Sequence, residues 1–308
     1  MKSSDASIHR AMLFIVVSAL SFGSISVLTV LTTRAGVGLL TAMAWRYVFG
    51  AILLGAFVSA RDIKSIPRQR VLQLLMIGGC GQALITYVSL RALDYIPVGQ
   101  LAFLFYTYPA WVAILAALRG AENLTLVRIV ALVLALAGVS VMIGMPTKRL
   151  NPMGVTLALG SALLYSGYLP ALEHVQNGLP ARSATFLLTV GAAIAFVLSA
   201  LLTGQLSLTA GTAVWMSVLL LAFVSTAIAF SALIKGLAVL GPVRTSIIAT
   251  IEPFFTAILG VVVLQNEINA ATWIGGILIA AAILVIAWNS TDALVTVQRS
   301  SVSVDRLR

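Results

Sequence analysis

Charge is scarce in this sequence: 9% of its 308 residues are Asp, Glu, Lys or Arg, while 60% are hydrophobic and the mean hydropathy is +1.08. A soluble domain carries about 25% charged residues. So little charge cannot cover a water-facing surface of this size, which excludes an ordinary soluble fold and leaves lipid as the solvent. Cysteine is nearly missing too. The single Cys80 lies in an apolar run, so no disulfide can form within the chain. The two histidines, His9 and His174, sit far apart at the edges of apolar runs, and no close His/Asp/Glu grouping is spaced to hold a metal. There is no G-x-S-x-G elbow, no P-loop and no dinucleotide fingerprint. No catalytic set, metal or cofactor is therefore expected, and the energy source must be a gradient or none.

Acid is scarcer than base: 9 Asp and Glu against 19 Lys and Arg, a net charge of +10. Such an excess can signal nucleic acid. Here the basic residues fall in short breaks between apolar runs, where membrane orientation explains them better.

What is present is a succession of apolar runs, each near the roughly 20 residues a helix needs to cross a bilayer. They predict an all-α integral membrane protein with ten spans: 11–31, 38–59, 71–90, 97–118, 126–144, 152–171, 184–202, 213–234, 242–264 and 272–288. Residues 1–10 form an N-terminal segment and 290–308 a tail. The first run is too long for a signal peptide's apolar region, so it is expected to stay as a helix. With the N-terminus in the cytoplasm, 13 basic residues fall on that side and 4 outside, with Arg46 and Arg244 within spans. Both termini are predicted cytoplasmic, in the inner (plasma) membrane.

The two halves repeat. Pro97 and Pro242 are 145 residues apart, as are Glu122 and Glu267, while Pro109 and Pro253 are 144 apart. Five spans per half is an odd number, so the halves must lie in opposite orientations. Inverted repeats of this kind place a central site near the midplane between them.

The residues resemble a known family. Thr245 to Phe255 with its Glu252-Pro253, then Gln265-Asn266-Glu267 and Gly275-Gly276, look like the second EamA domain of the drug/metabolite transporter superfamily. The first half matches in Trp45-Arg46-Tyr47, Pro109, Glu122 and Gly138. The resemblance implies one five-helix repeat over 11–145, a second over 150–289, and export or exchange of small metabolites without ATP. Two departures make the halves chemically unequal. Tyr108-Pro109 stands where the second half has Glu252-Pro253, and Leu187 or Leu188 lies where Arg46 would align.

Glu252 is the acidic residue deep within a span, and an ionised carboxylate there is costly unless paired or wet. Two readings stay open: a contact for a substrate amine or a proton, and a fixed ion pair with Arg46. Pro109 and Pro253 each remove a backbone donor at mid-membrane and mark helix hinges. Gly154, Ala158, Ser161, Tyr165 and Tyr168 share one helix face, as do Thr245, Ala249, Glu252 and Thr256. Gln82 and Thr86 share another, beside Tyr87. A substrate path is expected along Gln82, Tyr87, Tyr106, Tyr108, Tyr165, Tyr168 and Glu252, with the tyrosines converging on one chamber.

The expected function is secondary transport, as an exporter, of a small organic metabolite such as an amino acid or an aromatic or amphipathic compound, by alternating access. The expected partners are that substrate, the bilayer and a coupling proton, with the protein a monomer or a homodimer. A lipid or lipid-linked flippase of the same architecture is the alternative, followed by a membrane sensor or intramembrane enzyme.

Overall fold

The structure is a computed structural model that describes residues 2–34, 36–92, 94–96, 98–120, 125–143, 151–207, 211–265 and 270–286. The repeat anchors Pro97, Glu122 and Glu267 lie outside these residues. Every regular element described is helical. In chain order they are α1 (Lys2–Arg34), α2 (Leu39–Gly55), the short α3 (Ala60–Lys64), α4 (68–92), α5 (Val98–Phe105) and α6 (Tyr108–Leu118). Then come α7 (Leu126–Ile143), α8 (Pro152–Gln176), α9 (Ala181–Leu202), α10 (212–240), α11 (242–249), α12 (Glu252–Leu264) and α13 (Ala270–Ile286). Among the described residues, 7 helical stretches are long and apolar enough to cross a membrane, and α2, α12 and α13 are shorter apolar helices. Many large apolar side chains, such as Leu118, Leu202 and Val262, point outward, as lipid allows.

Local sequence sets the breaks. Asn151 caps α8, its side chain accepting from the Met153 and Gly154 amides, and Pro152 occupies the first turn where no amide is needed. Ser59 and Asp62 close a capping box on α3, which turns the chain back between α2 and α4. Gly241 takes φ 74° and ψ 172°, a conformation that only glycine adopts freely, and so separates α10 from α11. Where the apolar run predicts an end at residue 171, α8 runs through Pro170 to Gln176.

Two irregularities recur at equivalent places in the halves. Helix α4 carries a π-turn at Ile77–Gly81 and α10 one at Phe223–Ile228. The lines of α5–α6 and α11–α12 are both broken just before their prolines, at Tyr106-Thr107 and Thr250-Ile251. At both breaks a threonine hydroxyl bonds the carbonyl three residues back at 2.6 Å, Thr107 to Leu104 and Thr250 to Ile247. The same chemistry therefore interrupts the same helix in each half.

Each π-turn packs on the second helix of the other half. On one side, a Cβ at Gly78 would overlap the backbone of Leu188, and one at Gly191 would overlap Leu75 O, so glycines let α4 and α9 meet backbone to backbone. On the other side, α2 meets α10 through Gly50, where a Cβ would stand 2.7 Å from the Thr226 methyl. Helices α7 and α13 cross at Gly138 and Gly275, where a Cβ at Gly138 would lie 2.7 Å from Gly275 O. A polar seam of Ser18 to Ala229 O (2.9 Å) and Ser24 to Ser225 (2.8 Å) joins α1 to α10.

Candidate functional site

The halves enclose a cavity of about 250 Å³ where α1, α2, α4, α8 and α10 meet the two broken helices. That is just below the ~300–1,000 Å³ of pockets for drug-sized ligands. Of its 15 lining residues 7 are aromatic: Phe22, Tyr47, Phe105, Tyr108, Tyr165, Tyr168 and Phe230. The rings interlock. Tyr108 and Tyr165 meet edge to face with centroids 4.8 Å apart, Tyr165 and Tyr168 stack at 5.7 Å, and Tyr47 stacks on Phe196 at 5.2 Å. Such contacts hold the rings in fixed orientations.

The polar groups are few. Glu252 opens α12 at the break and reaches the cavity, and the Tyr106 hydroxyl faces its carboxyl group. Gln82, Thr86 and Ser89 present one face of α4, with Gln82 against the Tyr47 hydroxyl. The Tyr168 hydroxyl is buried and bonds no other described group.

Arg46 lines the cavity but is held elsewhere. In an α-helix the Ala229 amide would bond Ser225 O; through the π-turn it bonds Val224 O and Thr226 O instead. Arg46 Nη2 donates to that bypassed Ser225 carbonyl at 2.6 Å, and Nε donates to Thr226 Oγ1 at 2.8 Å. Its guanidinium also lies 5.0 Å from the Tyr47 ring centre. The expected ion pair with Glu252 is therefore corrected. Among the described residues the salt bridge is Arg91–Asp94, on a surface turn, and Arg46 serves the π-turn of the opposite half. The physical reason is proximity to an unpaired carbonyl, which an apolar interior makes expensive to leave alone.

Tyr87 is the second correction. It is 63% exposed on the outer face of α4 and does not reach the cavity. Gln82 and Thr86 point inward, and the next residue along a helix turns about 100° away. Tyr108, Tyr165 and Tyr168 do line the cavity, and Tyr106 joins the same aromatic group through Phe105 and Tyr108. Pro109 and Pro253 are buried in the first turns of α6 and α12. The sequence reading missed Phe22, Tyr47, Phe105 and Phe230 as wall residues. Tyr47 had a signal, its place beside Arg46 on a helix that also carries a small face; the phenylalanines had none, because in an apolar helix both faces look alike. We expect Tyr165→Ala to remove the ring contacts with Phe105, Tyr108 and Tyr168 and to destabilise the protein by at least about 1 kcal/mol, at about 0.5–1.5 kcal/mol for each aromatic pair. Tyr87→Ala should leave the melting temperature nearly unchanged. Equal falls in melting temperature for the two variants would contradict the placement.

The sequence profile described as the EamA-like transporter family matches residues 9–144 and again 152–288. A solved crystal structure, described only as that of a protein, superposes with a TM-score of 0.78 at 19% identity, covering 92% of this chain and 98% of its own. That likeness carries the fold alone. No curated protein matches the chain. With both halves matched by the family profile, the chain belongs to the EamA-like transporter family, within the drug/metabolite transporter superfamily.

Proposed function

We propose that this protein is a secondary transporter, working as an exporter, for a small organic metabolite that bears an amine, and that it works by alternating access around the cavity between its halves. The observation that carries the reading is the makeup of that cavity: aromatic walls, one carboxyl group at Glu252, and a guanidinium already committed to backbone and threonine oxygens. Aromatic faces and a carboxylate together favour an ammonium group. Amino acids with apolar or aromatic side chains fit this description, the side chain resting on the rings.

In this reading α5–α6 forms one span and α11–α12 another, which makes ten spans with both termini cytoplasmic. The cavity then lies open toward the outside. It extends along α4 to Ser89, one turn from that helix's outer end. Toward the cytoplasm it stops at Tyr168 and Leu233, beyond which Leu169, Leu172, Leu237 and Ile247 are buried. Two latches close that side: Arg70 donates to His174 O and Val175 O at 2.8 and 3.0 Å, and Gln176 Nε2 donates to Ile234 O at 3.3 Å. The breaks before Pro109 and Pro253 serve as hinges, since backbone there is free of part of the helical ladder.

The test uses purified protein in proteoliposomes, with amines, amino acids and lipids offered in turn. Counterflow of an amine is expected; movement of lipid alone would favour the flippase. In a Cys80→Ser background, Ser89→Cys should react with an impermeant maleimide from the outside while Leu172→Cys does not, and an inward gradient of substrate should reverse the two. Reactivity of Leu172→Cys from the outside in the resting protein would overturn the proposed state and topology.

A further inference from the structure

A second concavity of about 400 Å³ lies on the outside of the bundle, between α1, α2 and α10. Leu13, Phe14 and Val17 form one wall, Leu54 and Phe57 another, and the stretch from Ala227 to Lys235 the floor. It is distinct from the central cavity, with which it shares no residue. From Ala227 to Lys235 the floor is roughly 12 Å long at 1.5 Å per residue. One leaflet's hydrocarbon is roughly 15 Å deep, half of the bilayer core. The groove therefore has the length of most of one acyl chain.

Its two ends differ. The inner reach is apolar. At the other end, on the side of the N-terminus, stands Lys235, exposed, its ammonium 5.3 Å from the centre of the Phe14 ring, with no carboxylate partner among the described residues. Arg10 is exposed one turn before Leu13 and Phe14 on the same face of α1, and Arg61 follows Phe57 at the start of α3. Ser231 lines the floor one turn deeper than Lys235, and its hydroxyl has no protein partner among the described residues. A cation at headgroup depth, a free hydroxyl just below it and an apolar trough beneath match, in order, a phosphate, a glycerol ester and an acyl chain.

We infer that this groove is a binding site for one anionic phospholipid of the leaflet on the N-terminal side, its phosphate on Lys235 and an acyl chain between α1 and α10. Charge decides the choice of lipid: a zwitterionic headgroup would gain little from Lys235, whereas each basic residue near an anionic surface contributes about 1 kcal/mol. The site also touches function mechanically, because its floor includes Ala227 and Ile228 of the π-turn that Arg46 holds.

Native mass spectrometry of the delipidated full-length protein, titrated with phosphatidylglycerol or phosphatidylcholine, reads the site directly. The wild type should retain the first phosphatidylglycerol about fivefold more strongly than phosphatidylcholine. Lys235→Gln should bring the two to parity. Ser231→Phe, which fills the trough and leaves the cation in place, should lower retention of the first lipid of either kind. Arg128→Gln, a basic residue on the same side but on α7, should leave the preference intact. Thermal melting in phosphatidylglycerol nanodiscs gives a second reading that does not depend on adduct survival: the lipid-specific rise in Tm should vanish in Lys235→Gln. An unchanged preference in Lys235→Gln, an equal loss in Arg128→Gln, or the groove of the wild type being covered by a second copy that Ser231→Phe dissociates would each overturn the assignment.

Discussion

Arg46→Leu is expected to destabilise this protein strongly. It removes the donor to Ser225 O and Thr226 Oγ1 and leaves the carbonyl that the π-turn bypasses without a partner. A hydrogen bond to a charged group is worth about 1.5–3 kcal/mol, and an abandoned buried polar group costs about 1–3 kcal/mol. Some of this is returned, because a buried cation no longer has to be desolvated. A net loss of about 2–4 kcal/mol remains, which should lower the melting temperature in detergent by several degrees or prevent recovery of folded protein. Arg46→Lys should recover only part, since one ammonium cannot serve two acceptors with the fork of a guanidinium. Thr226→Val removes one acceptor and should cost about 1 kcal/mol. A melting temperature for Arg46→Leu equal to the wild type would show that the clamp contributes nothing.

The two halves solve the same problem differently at this point, which adds a control. The second half has Leu187 or Leu188 where the first has Arg46, and there the backbones of α4 and α9 close directly through Gly78 and Gly191. Leu188→Arg in an Arg46→Leu background should therefore not rescue. The new side chain would lie at the α4–α9 contact, away from the Ser225 carbonyl that Arg46→Leu leaves without its donor.

Glu252→Gln should have the largest effect on transport with the smallest effect on the fold. Glutamine keeps the shape and a hydrogen-bonding group facing Tyr106, while it removes the charge. Because Arg46 is bonded to Ser225 and Thr226 and not to Glu252, the change strands no buried cation. Stability should stay within about 1 kcal/mol of the wild type. If the carboxylate receives a substrate ammonium, loss of a charge-assisted contact of about 1.5–3 kcal/mol should reduce affinity roughly 10- to 100-fold. Flux and melting should be measured on the same preparation. Normal flux of an amine through Glu252→Gln would reject the proposed role; a large fall in melting temperature would instead restore a structural role for the carboxylate.

Helical membrane architecture was legible in the residues because it follows from a bulk property. A chain with 9% charge must bury its backbone polar groups in helices, and the helices end near the Pro, Gly and charged breaks that punctuate the apolar runs. The repeat showed itself in prolines, because proline acts on the backbone of its own segment and needs no partner to have meaning. Gln82, Tyr108, Tyr165, Tyr168 and Glu252 could be placed facing inward for a similar reason: a polar group in lipid is costly unless it finds a partner or water, a rule that Tyr87 on the outer face of α4 does not follow.

What lay beyond the reach of sequence was everything that depends on which helix faces which. Tyr87 and Thr86 are neighbours in the chain, yet one meets lipid and the other the cavity, because helical phase is invisible where both faces are apolar. The π-turns at Ile77–Gly81 and Phe223–Ile228 have no composition of their own, and without them the partner of Arg46 could not be named. Depth alone placed Arg46 near Glu252, and both residues line the central cavity. Direction around the helix axis then sent the guanidinium to Ser225 O, a carbonyl that only the packing of α2 against α10 brings within 2.6 Å.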